Sequence, residues 1–91
     1  MAQIYDDSSG TNVELSSEEL NILLTSEDIG ESLYEVVGID AFAHRSVDIV
    51  NALLQYITKN KNQLARLNKS NGVLLTVPPK GNWSSTVAKP R

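Results

Sequence analysis

The sequence predicts a mainly α protein: two short acidic helices, one long amphipathic helix, an extended arm at each end and one short β-prone segment near the C-terminus. Three observations carry that expectation. Helix-start chemistry occurs twice, at Ser16-Ser17-Glu18-Glu19 and at Thr25-Ser26-Glu27-Asp28. Apolar residues from Phe42 to Leu67 recur at helical spacing. Only Val73-Leu74-Leu75-Thr76-Val77 reads as a strand, and Pro78-Pro79 halts it.

Residues 1–14 read as an N-terminal arm, because Asp6-Asp7-Ser8-Ser9-Gly10-Thr11-Asn12 is turn and loop chemistry with little to bury. The helical domain is expected over 15–77. In its first helix, Ser16 caps the free amides while Glu19 reaches back, and both acids suit the positive end of the helix dipole. Leu20, Leu23 and Leu24 form its apolar stripe, with Leu15 as a preceding staple. The second helix buries Ile29, Leu33, Val36 and Val37; Gly30 weakens it and Gly38 ends it in a left-handed conformation. Asp40 caps the third. Taken unbroken from Ala41 to Asn68, that helix would be about 42 Å long. Its core positions are Val47, Val50, Leu54, Ile57 and Leu64, with no Gly or Pro to interrupt them. The one doubtful stretch is Lys59-Asn60-Lys61-Asn62, polar all round, where the helix either projects into solvent or breaks. Ser70-Asn71-Gly72 is a stop, with Gly72 or Asn71 at positive φ. No second strand is evident, so Val73–Val77 is expected to pack on the helices or to join a neighbour's sheet. Residues 78–91 read as a basic arm anchored by Trp83, which either fills a partner's pocket or folds back over the β-prone run.

Charge is sorted along the chain. Residues 1–44 hold ten acids and no Lys or Arg; residues 45–91 hold all eight basic residues and a single acid, Asp48. The net charge of −3 therefore conceals halves of −10 and +7. The halves can neutralise each other within one monomer, meet between copies, or leave the basic half to face phosphate. Two solvated faces without a partner are the plainest reading. Exposed ion pairs stabilise a fold weakly, so the sorting speaks more for association than for stability.

Catalytic chemistry is thin. The chain has no cysteine, hence no disulfide, thiolate nucleophile or cysteine metal cluster. His44 is the only histidine and sits near an expected helix start, where a packed or solvated imidazole is the commoner state. Glu18-Glu19, Glu27-Asp28 and the Glu31/Glu35 pair suggest an acidic helix face rather than a carboxylate dyad, and no calcium-loop pattern is present. Gly30, Gly38 and Gly72 form no phosphate loop. Asn68-Lys69-Ser70 and Asn82-Trp83-Ser84 match the glycosylation triplet by chance, since the first residues carry no basic or apolar leader. Lys59, Lys61, Arg66 and Lys69 followed by Lys80, Lys89 and Arg91 suit phosphate contact, but a pI of about 4.9 and no aromatic-interleaved surface oppose it.

The expectation is a non-enzymatic structural or adaptor subunit of a larger symmetric assembly, of which a virion ring or connector is one kind. It would work with copies of itself and other protein subunits, without cofactor, metal, membrane or small-molecule substrate. Its interface is expected at Glu18, Glu19, Glu27 and Asp28 on the acidic side. On the other side it is expected at Val73, Leu75, Val77, Lys80, Trp83, Lys89 and Arg91. Its place is the cytoplasm or a virus particle assembled there. The alternative is a small dimeric helical regulator binding nucleic acid through its basic half.

Overall fold

Ile4, Val13 and Leu15 alternate with polar residues near the N-terminus, and Val73, Leu75 and Val77 recur at the same two-residue spacing near the C-terminus. Alternation at period two puts each set on one face of a strand, and neither set can leave water alone. In the computed structural model, which describes residues 2–8, 10–38, 47–69 and 71–88, the two sets meet. Strands β1 (Gln3–Asp7) and β2 (Gly10–Leu15) form an antiparallel hairpin with Asp7 opposite Gly10. Strands β3 (Val73–Val77) and β4 (Ser84–Val87) form a second hairpin. β2 pairs antiparallel with β3, Val13 opposite Leu75 and Leu15 opposite Val73, giving one sheet in the order β1-β2-β3-β4.

Between the hairpins the described residues form four helices: α1 (Ser17–Thr25), α2 (Ile29–Val37), α3 (Val47–Lys59) and α4 (Lys61–Leu67). They cover one sheet face. Val13, Leu15, Val73 and Leu75 point into that layer and are buried with Leu20, Leu23, Leu33, Ile57 and Leu64. The opposite face carries the cross-strand row Tyr5, Asn12, Thr76, Ser84 and the row Gln3, Glu14, Leu74, Thr86.

The mainly α expectation is thus corrected to an α/β fold. Neither arm is an arm: residues within 1–14 supply β1 and most of β2, and residues within 78–91 supply β4. Asp, Ser, Gly and Asn are poor strand formers, so local propensity reads loop, and the pairing of β2 with β3, where Val13 meets Leu75, overrides it. β3 coincides with the β-prone run, but both its edges are used within the chain, by β2 and β4. It therefore cannot add to a neighbour's sheet, and Val73 and Leu75, fully buried here, are corrected from interface to core.

The helix starts follow the expected chemistry. The Glu19 amide donates to Ser16 Oγ at 3.1 Å and the Ser16 amide to Glu19 Oε1 at 2.9 Å, closing a capping box. The Glu31 amide donates to Asp28 Oδ1 at 3.2 Å at the start of α2. Removing the first cap by Ser16→Ala should lower stability by about 1 kcal/mol, read as a smaller urea midpoint with unchanged slope. α2 ends at Gly38, whose φ of 86° is positive as expected while its ψ of 159° is extended rather than left-handed helical.

The single long helix is a second correction. α3 and α4 are separate, divided at Asn60 inside the polar stretch. The Asn60 side chain donates to the Tyr56 carbonyl at 2.9 Å, competing for the acceptor that its own amide uses at 3.0 Å. Asparagine offers the backbone this alternative to helix continuation. The turn lets α4 fold back until Leu64 is buried. At its end Asn68 Nδ2 bonds the Ser17 carbonyl at 3.2 Å and Asn21 Oδ1 at 3.0 Å, tying α4 to α1. The expected seam on α3 also rotates. Its buried line is Leu53–Ile57 with Ile49 half-buried before it; Val50 and Leu54 are half-buried, and Val47 is 71% exposed rather than core. Residues 39–46, with Asp40, Phe42 and His44, lie outside the described residues.

Candidate functional site

Two surfaces carry the sorted charge. On α1, α2 and the turn between them the exposed acids are Glu18, Glu27, Asp28, Glu31 and Glu35. Glu18 and Ile22 lie one turn apart, as do Glu31 and Glu35, so acids flank the exposed Ile22 (51%) and Tyr34 (41%). Glu19, Ile22, Glu35 and Val36 line a groove of about 400 Å³ between these helices. Of the expected acidic interface, Glu18, Glu27 and Asp28 are exposed, although Asp28 also caps α2, and Glu19 is engaged in the capping box.

The basic surface runs through Lys59, Lys61, Arg66, Lys69 and Lys80, all exposed except the half-buried Lys61. Among the described residues, no acid forms an ion pair with any of these five. Lys89 and Arg91 lie outside the described residues.

Beside this surface lies an open groove of about 380 Å³. Ala52, Gln55, Tyr56 and Lys59 form one wall, at spacings of three and four that place them on one face of α3. Asn82 and Trp83, from the β3–β4 connection, form the other. Tyr56 holds the walls together by sharing a 3.0 Å hydrogen bond with Ser85 Oγ. Trp83 is only 8% exposed and belongs to the core, so of its two expected readings folding back is the one observed. The indole is nevertheless incomplete: its Nε1 is buried and has no hydrogen-bond partner among the described residues. An indole N–H can only donate, and a buried donor without an acceptor carries a free-energy penalty.

No family model, no characterised protein and no solved structure matches this chain.

The remaining chemistry is sparse. Among the described residues no group of three His, Cys, Asp or Glu is placed to hold a metal, and no helix is long and apolar enough to cross a membrane. The sequence singled out Trp83, Lys59 and the acids, named Asn82 only in a chance glycosylation triplet, and gave no role to Gln55, Tyr56, Ile22 or Tyr34. Ile22 had a legible signal: it falls off the Leu20–Leu23–Leu24 stripe and so stands on the solvent side. Asn82 had none, because its place in the groove depends on the β3–β4 hairpin.

Proposed function

We propose that this protein is a non-enzymatic structural or adaptor subunit of a larger symmetric assembly, joined through its acidic and basic surfaces. It would work in the cytoplasm or in a particle assembled there. The observation that carries this reading is that the exposed cations of α3, α4 and the β3–β4 loop have no acidic partner within the described chain. Surfaces of opposite sign on one molecule attract between copies, at a strength that salt controls. The two terminal hairpins no longer support the reading as free straps, since they build the sheet instead.

Light scattering tests it directly. At about 0.05 M salt the particle mass should exceed that of one chain, and it should fall towards the monomer at about 0.5 M, where screening shortens several-fold. A monomer at low salt, up to high protein concentration, would refute self-assembly. The same exposed cations favour a second reading, binding of nucleic acid by phosphate contact. Retention of a labelled DNA or RNA by a monomeric protein, with steep salt dependence, would select it.

A further inference from the structure

We infer that the groove between α3 and Trp83 receives a carboxylate from the α1–α2 surface of a second copy of this chain. The inference rests on the assembly reading above and names its contact. Three observations converge on it. The groove offers donors: the ammonium of Lys59 and the amides of Gln55 and Asn82, with no acid among its described lining residues. A ligand that satisfies such a set is an acceptor carrying negative charge, and a carboxylate accepts from several donors at once. The described part of the chain before residue 39 contains only acids as charged side chains, so a second copy presents that chemistry.

Shape and polarity agree with charge. On α1–α2, Glu18, Glu31 and Glu35 surround Ile22 and Tyr34, two of the five large apolar side chains left exposed. The groove's walls carry apolar surface in Ala52, Tyr56 and the Trp83 ring to meet them. The contact uses different surfaces on the two copies. It is therefore heterologous, and it propagates into a ring or a filament.

Trp83 is the only tryptophan, so its emission reports the groove without a label. Wild-type protein is diluted in series at low salt while mass is followed by light scattering and the groove by tryptophan fluorescence. Mass and emission should change together, over one concentration range. Lys59→Glu and Glu35→Lys alter exposed side chains, and unfolding midpoints equal to wild type establish that both fold. Each alone should weaken assembly at least about tenfold, and mixing the two should give a one-to-one heterodimer that grows no further, because Glu35→Lys retains an intact groove and Lys59→Glu an intact acidic surface.

Failure is equally specific. Assembly that persists in Lys59→Glu, or proceeds with unchanged emission, places the contact elsewhere and leaves the assembly reading standing. Variants that fail singly and form no heterodimer on mixing overturn the pairing of these two surfaces. A wild-type monomer at low salt overturns both readings. Emission quenched by a short DNA or RNA in that monomer would reassign the groove to phosphate.

Discussion

Val13→Asp is expected to abolish cooperative folding at room temperature. Val13 lies in β2, 1% exposed, opposite Ile4 on one side and Leu75 on the other. Its side chain enters the layer between sheet and helices, where Leu15, Val73 and Leu75 are equally enclosed. A carboxylate there has no cation to meet, since the cluster is apolar throughout. Such a group must either lose its hydration or take up a proton, and removing one partner's worth of compensation from a buried charge costs several kcal/mol. A chain of this length has about 5–10 kcal/mol of stability in all. Circular dichroism during a urea titration should show no transition for Val13→Asp. Thr86→Asp, exposed on the other face of the same sheet, should stay within about 0.5 kcal/mol of wild type. If Val13→Asp unfolded at the wild-type midpoint, the N-terminal residues would be the arm that composition suggests and the sheet would be wrong.

That contrast marks where the sequence was legible. The starts of α1 and α2 were, because a cap is local chemistry: Ser16, Glu19 and Asp28 find their partners within three residues. Strand β3 was legible because Val73–Val77 is apolar enough to announce itself. β1, β2 and β4 were not. Asp6, Asp7, Gly10 and Asn12 carry the signature of a loop, and Ser84–Val87 has one large apolar residue in four. β2 is held by the long-range register of Val13 on Leu75, which no local window contains, and β1 and β4 join the sheet as hairpin partners of β2 and β3.

The same distinction holds for the site. Sorted charge and the lone tryptophan could be read along the chain, and both bear on the groove. What could not be read was the angle between α3 and β4, which brings Lys59 to the same groove as Asn82 and Trp83. Nor could the rotation of α3. A seven-residue seam through Val47, Val50, Leu54 and Ile57 suits a helix facing one other helix. The line Ile49–Leu53–Ile57 suits one that lies between a sheet and α2, and there Val47 turns to solvent.

Two glycine-to-alanine changes should move stability in opposite directions. Gly72 opens β3 at φ 81°, a backbone state that L side chains rarely adopt. A Cβ there would overlap the carbonyl oxygen of Leu15 and crowd Ser16, both backbone, where the end of β2 meets the start of α1. Neither can retreat without breaking the Leu15–Val73 register or the capping box. The Gly72 carbonyl also accepts from the Ala88 amide at 3.2 Å, so a shift would disturb the end of β4 as well. Gly72→Ala should therefore cost about 3 kcal/mol or more, strain and overlap together. Gly30 stands in the first turn of α2 with ordinary helical space beside it. A Cβ would touch Asp28 Oδ1 at 3.4 Å and Leu54 Cδ2 at 3.6 Å, both normal contacts. Gly30→Ala removes backbone freedom from the unfolded chain and should stabilise by about 0.5–1 kcal/mol. Urea midpoints measured side by side, with slopes confirmed equal, read both signs at once. Gly72→Ala at or above the wild-type midpoint would mean that the close approach of residue 72 to the end of β2 does not exist, and with it the junction of the two hairpins.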